Sequence, residues 1–258
     1  MYKRQATHGD ILQWMDVAAR KVFEPFIDKT FTKLAKHVNA YEQKMFMKRE
    51  AIADKGIWTA KKRYALHVYD MEGVRYNEPQ MKVMGLETQR SSVPLICRDN
   101  MKAALRLIFE KDEKALMDFV ANFRSKFTSL SFEDVAFPRG VKGLDKYKNE
   151  VTIYNKGTPI HVRGALVFNN MLKEHDIEQQ YNPIYEGDKI KFCYLRLPNP
   201  ARENVLAISS ALPKQFNIAQ YIDYEKQFEK SFLEPMKNIA ETIQWKLERG
   251  QATLEDFF

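Results

Sequence analysis

The first clear pattern along the chain is helical. From Asp10 to about Val38, the apolar residues Ile11, Met15, Ala18, Val22, Phe26 or Ile27, Phe31, Leu34 and Val38 recur at helical spacing with charges between them. This predicts one long amphipathic helix, or two with a bend near Pro25. Met45 to Ile52 reads as a short extended segment, and Asp54-Lys55-Gly56 as a turn. Tyr64-Ala65-Leu66-His67-Val68-Tyr69 is dominated by aromatic and β-branched residues and predicts a strand. Asp70-Met71-Glu72-Gly73 has the composition of a hairpin loop, with Lys82 to Leu86 as the returning strand.

Past Ser91-Ser92-Val93-Pro94 the periodicity changes, and a domain boundary is expected near Arg90. Ser92 is placed to cap a helix with Pro94 in its first turn and Met101, Leu105 and Ile108 on its buried face. A second helix follows, with Leu116, Phe119, Val120, Phe123 and Phe127 on one side. Residues 132–158 are punctuated by Pro138, Gly140, Gly143 and Gly157 and read as irregular. A helix over about Ile160 to Lys173 and strands over Lys189 to Leu197 and Val205 to Ser209 come next. Ile218 to Lys246 has helical spacing in Tyr221, Tyr224, Phe228, Phe232 and Met236, with Pro235 expected to bend or break it. From Gly250 onward the chain reads as a free tail. The fold class is α+β, because helices and antiparallel strands occupy separate stretches rather than alternating.

Composition sharpens this. With 258 residues and 45% hydrophobic side chains the chain can bury a sizeable core, which excludes a wholly disordered polymer. Cys97 and Cys193 form no Cys-x-x-Cys or Cys/His cluster, so a reducing, intracellular setting fits and both read as small buried hydrophobes. No run approaches the roughly 18 to 20 apolar residues of a bilayer span, and the polar start Met-Tyr-Lys-Arg-Gln lacks a signal-peptide core, so no membrane partner is expected. The net charge of +7 is unevenly spread: residues 1–175 carry 31 basic and 21 acidic side chains, residues 176–258 carry 10 and 13. Such asymmetry points the first two thirds toward a polyanion, most simply nucleic acid.

Two local motifs carry candidate chemistry. The terminus Gln251-Ala252-Thr253-Leu254-Glu255-Asp256-Phe257-Phe258 resembles the peptide captured by the sliding clamps of DNA replication. One helical turn would project Leu254, Phe257 and Phe258 into an apolar pocket while Gln251 fixes the register. The alternative is a tail that packs its two phenylalanine rings on its own core. Lys61-Lys62-Arg63-Tyr64 places three adjacent cations before an aromatic, and strand alternation would put Lys62 and Tyr64 on one face.

That second motif belongs to a longer succession: Phe46-Met47-Lys48-Arg49-Glu50-Ala51-Ile52-Ala53, Trp58 to Ala65, Asp70 to Gly73, Gly85-Leu86-Glu87-Thr88-Gln89-Arg90-Ser91-Ser92, and Pro159-Ile160-His161-Val162-Arg163-Gly164. In this order it resembles the palm-to-thumb part of family-B DNA polymerases of T-even-like bacteriophages. The resemblance implies residues 1–90 as the C-terminal part of a palm, 91–249 as a mostly helical thumb and 250–258 as the clamp-binding tail. It further implies that Lys61, Lys62, Arg63 and Tyr64 hold the primer strand near its growing end. A lysine suits that task, since minor-groove acceptors are present in every base pair. Arg90, Ser91 and Ser92 match residues on the primer backbone, and His161 and Arg163 match the thumb motif beside the duplex. For Arg163, simple pairing with an acidic neighbour is an equal alternative. Glu50 matches a carboxylate near the catalytic metals.

The chain departs from a complete polymerase. There is no Asp-x-Asp anywhere, and the family's Asp-Thr-Asp-Ser turn, upstream palm carboxylate, fingers helix and exonuclease motifs are missing. Met1 falls just downstream of where Asp-Thr-Asp-Ser would lie. The expectation is a split polymerase of which this chain is the C-terminal subunit. Its N-terminal partner would bring exonuclease, fingers and catalytic palm and would hold the Mg2+ ions, none being bound by this chain alone. Primer-template DNA and the sliding clamp complete the expected partners, in the cytoplasm of an infected bacterial host. The first helix, with Trp14, Phe23, Phe26 and Phe31, would be the docking surface. The competing expectation is a non-catalytic DNA-binding clamp adaptor derived from a polymerase thumb.

Overall fold

The computed structural model describes residues 7–249. The expected clamp-binding residues Gln251, Leu254, Phe257 and Phe258 lie outside the described residues. The chain divides into two compact units: residues 7–58 with 64–84, and residues 59–63 with 85–249.

The first unit opens with helix α1 (His8–Ala18), entered through a reciprocal capping box between Thr7 and Asp10. One π turn (Ala19–Phe23) leads directly into α2 (Glu24–His37), so the helical path runs unbroken past Pro25. Proline has no N–H and its ring collides with the carbonyl four residues earlier in a regular α-helix. The π turn opens the ladder at that point: the Glu24 N–H reaches back to the Ala19 carbonyl. A three-stranded sheet follows, in the order β1 (Ala51–Ala60), β2 (Arg63–Met71) and β3 (Val74–Met84), with β2 and β3 antiparallel and Tyr64 opposite Met84.

Two expectations are corrected here. Asp54-Lys55-Gly56 is not a turn but the middle of β1. Gly56 has no side chain because a Cβ there would sit 2.5 Å from the Trp58 ring and 2.8 Å from Leu66, so it marks a close approach. The turn comes instead at Lys61-Lys62, where Lys62 takes a left-handed φ of 62°. Lys61 and Lys62 therefore lie on a tip and do not alternate across strand faces.

Helix and sheet in this unit are joined by Arg49. Its guanidinium bonds Asp70 at 2.7 Å and Asp16 at 2.9 Å, and its backbone N–H donates to Glu24 at 3.1 Å. Asp70, fully buried, also accepts from the Gly73 N–H at 3.0 Å and from Arg75 Nε at 3.1 Å. The residue expected in a hairpin loop is thus the ionic centre of the unit.

The second unit begins with α3 (Leu95–Glu110) and α4 (Glu113–Phe127). Pro94, not Ser92, occupies the N-cap of α3 and makes no side-chain cap. Phe119 is only half buried, whereas Leu116, Val120, Phe123 and Phe127 are buried. The stretch expected to be irregular contains α5 (Phe132–Val135), β4 (Phe137–Gly140), α6 (Leu144–Tyr147) and the small hairpin β5 (Lys148–Asn149) and β6 (Ile153–Tyr154). Then come α7 (Ile160–Glu174), β7 (Lys189–Tyr194) and β8 (Val205–Ile208), and β4, β7 and β8 form one antiparallel sheet in that order. Gly164 lets α7 press on β8: a Cβ there would lie 3.0 Å from the Ala207 nitrogen.

α8 (Tyr224–Phe228), a π turn (Glu229–Leu233) and α9 (Glu234–Thr242) carry the chain through Pro235 without a break, by the same device as at Pro25. Phe228 and Phe232 stack at 5.2 Å between centroids and close on Phe123 and Phe127 at 4.9–5.7 Å, an aromatic cluster at the heart of this core. Gln227, wholly buried, bridges that core to the sheet region through the Val135 carbonyl and the Tyr194 N–H. Cys97 and Cys193 are buried and unbonded to each other, and burial pushes the Cys97 thiol up to about 12 despite its bond with Ser231. Among the described residues no helix is long and apolar enough to cross a membrane.

Candidate nucleic-acid interface

The β1–β2 turn lifts Lys61 and Lys62 into solvent with both side chains exposed. Its backbone is seated on the segment that precedes α3. Gly85, with a φ of +67°, lies so close to the turn that a Cβ there would be 2.2 Å from the Lys62 carbonyl oxygen. Only glycine satisfies both the left-handed backbone and the contact. One residue further, Arg63 turns away from solvent: its Nη2 donates to both carboxylate oxygens of Glu87, at 2.8 and 2.7 Å. Glu87 also faces Arg90 Nη1 at 3.5 Å. Arg90 remains exposed, and the turn Ser91-Ser92 that follows is closed by the Val93 N–H on the Arg90 carbonyl at 3.1 Å.

The structure therefore brings together two stretches that are 27 or more positions apart in sequence, Lys61 to Arg63 and Arg90 to Ser92. Gly85 and Glu87 join them. Both stand in the motif Gly85-Leu86-Glu87-Thr88-Gln89-Arg90, but sequence reasoning gave them no role. An acid inside a basic motif, at a position where composition asks for cations, is the signal that could have found Glu87. Tyr64 sits half buried at the start of β2.

His161 and Arg163 form a separate cluster on the first turns of α7. His161 is half buried, and burial first, then the nearby Arg139 guanidinium, hold its pKa below the ordinary 6.5. The neutral ring is favoured in the fold, so its contribution to stability is complete above about 6.5 and is lost as pH falls through that value toward the folded pKa. An NMR titration of the His161 ring should give a midpoint below 6.5; a midpoint above it would contradict this arrangement. Arg139 was not singled out from sequence. Among the described residues Arg163 takes no direct acidic partner: it bonds the Asn204 amide oxygen and lies over the Tyr154 ring at 5.6 Å. The Tyr154 hydroxyl in turn donates to Glu203 at 2.5 Å.

Glu50 stands exposed beside the sheet and ion-pairs with Lys82, whose ammonium is held charged by that bond. Among the described residues no three His, Cys, Asp or Glu side chains are grouped to hold a metal ion. A lone carboxylate already matched by a lysine does not fit a Mg2+ pair, which demands several oxygen ligands. No chemical step is assigned to a metal on this chain.

Arranged this way, the chain presents exposed cations on a buttressed turn and a second basic cluster on α7, a surface suited to polyanion backbones. No family model matches the chain. Over 262 residues it is 32% identical to a DNA-directed DNA polymerase of Enterobacteria phage T4, covering 97% of this chain. Over 260 residues it is 34% identical to a DNA-directed DNA polymerase of Escherichia phage RB69, covering 96% of this chain. In each case the matched region is 28% of the relative's length.

Proposed function

We propose that this chain, a relative of the T-even phage DNA polymerases along almost its whole length, serves as the DNA-gripping part of a split polymerase. It supplies primer grip, duplex-binding thumb and sliding-clamp tether, while a partner polypeptide supplies exonuclease, fingers and the metal-binding palm. In this reading Lys61 and Lys62 meet the primer end, Arg90 and Ser91 the primer backbone, and the α7 cluster the duplex. Glu50 acts only on the field near metals that the partner holds.

The observation that carries the reading is the distribution of exposed apolar side chains. Of the large hydrophobic residues left exposed among the described residues, sixteen lie in the first unit and four in the second. Trp14, Phe23 and Phe26 on α1, the π turn and α2 are 62–69% exposed, and Phe46 beyond them is 78% exposed. Phe31, expected on the same surface, is half buried instead. A soluble surface rarely tolerates such a patch, and a large apolar area of this kind is what an obligate partner covers.

The test is primer extension. The chain alone should extend no primer; mixed with a partner bearing the Asp-Thr-Asp-Ser turn it should raise extension well above the partner alone. Extension by the chain unaided, or no gain on mixing, would overturn the split reading, and the second outcome would favour a clamp adaptor. In the same reconstitution with a clamp, deleting residues 254–258 should shorten products while leaving clamp-free synthesis unchanged.

A further inference from the structure

Arg63 and Glu87 invite a different assignment from their neighbours. Both sit in the basic motifs, yet each is spent on the other: Arg63 is 30% exposed, Glu87 14%, and one guanidinium nitrogen bonds both carboxylate oxygens. The pair lies directly beneath the turn whose backbone rests on Gly85. Residues 59–63 belong to the same compact unit as residues 85–249, although they close a hairpin of the other unit's sheet. The tip that carries Lys61 and Lys62 is thus fastened by Glu87 to the base of α3.

We infer that Glu87 is a positioning residue: by holding Arg63 it fixes where Lys61 and Lys62 stand, and Arg63 acts through this pair rather than by touching DNA. This rests on the primer-grip reading above. A half-buried, charge-assisted pair is strong enough to hold a short turn, whereas exposed lysines have no means of ordering their own backbone. Glu87 performs this work at an electrostatic cost to DNA binding, because it places a negative charge between Arg63 and Arg90 on a surface meant for phosphates.

That cost makes the test sharp. Two single variants weaken the same pair with opposite changes of charge: Glu87→Gln removes the negative charge and one of the two acceptor oxygens, and Arg63→Met removes the positive charge and the donor. The full chain would be titrated with a recessed primer-template and with a blunt duplex of the same length, and hydrogen exchange of backbone amides 60–64 followed alongside. Positioning predicts that preference for the recessed end falls about tenfold in both variants, as far as in Lys62→Ala, with faster exchange in the turn. Blunt-duplex affinity should meanwhile rise for Glu87→Gln and fall for Arg63→Met, following charge alone. Neither side chain belongs to the aromatic core, so thermal melting of both variants should show a folded chain.

If end preference instead followed charge, improving in Glu87→Gln and worsening in Arg63→Met, then Arg63 is a direct DNA contact and the inference fails. Unchanged preference and exchange in both variants would also defeat it. Should Lys62→Ala itself leave the parent chain's end preference intact, the primer-grip reading is what fails. The exchange measurement then still decides whether Glu87 holds the turn.

Discussion

Gly85→Ala should cost about 2–4 kcal/mol of folding stability and displace the Lys61-Lys62 turn. The figure combines a left-handed backbone imposed on a residue with a Cβ and the overpacking of a tight contact. The new methyl would stand 2.2 Å from the Lys62 carbonyl oxygen, which is backbone and cannot swing aside as a side chain would. Gly73 provides the control. It has a φ of +90°, and a methyl added to it would meet nothing within 4 Å, so Gly73→Ala should carry the backbone strain alone, about 1 kcal/mol. Denaturant unfolding of the two variants measures the difference, and equal losses would mean that the contact between Gly85 and the turn does not matter. Because Gly85 seats the turn that presents Lys61 and Lys62, its alanine variant should also lose the preference for a recessed primer end.

Asp70→Ala should be the most damaging single change in the first unit, at about 3–5 kcal/mol, the usual cost of removing one member of a buried ion pair. Asp70 is 1% exposed and answers three donors: Arg49, Arg75 and the Gly73 N–H. Without it Arg49, itself only 13% exposed, keeps one anionic partner, Asp16, and the Gly73 N–H loses its acceptor. The damage should spread to the helix, because Arg49 is the link between α1 and β2. Amide exchange should therefore accelerate in α1 as well as around residues 70–75. Confinement of the effect to the β2–β3 turn would show that Asp16 alone suffices to hold Arg49.

Long periodic segments are legible in the sequence: α3, α4, α7, β7 and β8 follow the apolar spacing of residues 95–127, 160–174 and 189–208. Their faces are buried within the unit, so local pattern and tertiary packing agree. At the turns, composition and packing disagree. Asp54-Lys55-Gly56 has turn chemistry but forms strand, because Gly56 is needed as a space for Trp58 and Leu66. Lys61-Lys62 has no turn chemistry but forms the turn, because Gly85 and Glu87, more than twenty positions away, hold it there. The same distance hides half of the candidate site. Cations announce themselves in sequence, but an acid that immobilises one of them does so only once the chain has folded. Ser92 fails as a cap for a related reason, since the rigid φ of Pro94 already sets the entry to α3.

The π turn at Ala19–Phe23 admits an extra residue into the helical circuit, so every position after it is rotated by about 100° relative to an uninterrupted α-helix. The apolar positions Ile11 and Met15 before it and Phe26 and Leu34 after it thereby fall within about 80° of one another around the axis, where an unbroken α-helix would carry Leu34 off to the side. A single partner surface can therefore run along both halves of that stripe. Removing one residue from 19–23 would restore a regular α-helix and leave the stripe where it is, so the π turn is the device that lets the chain keep both the extra residue and one continuous apolar face.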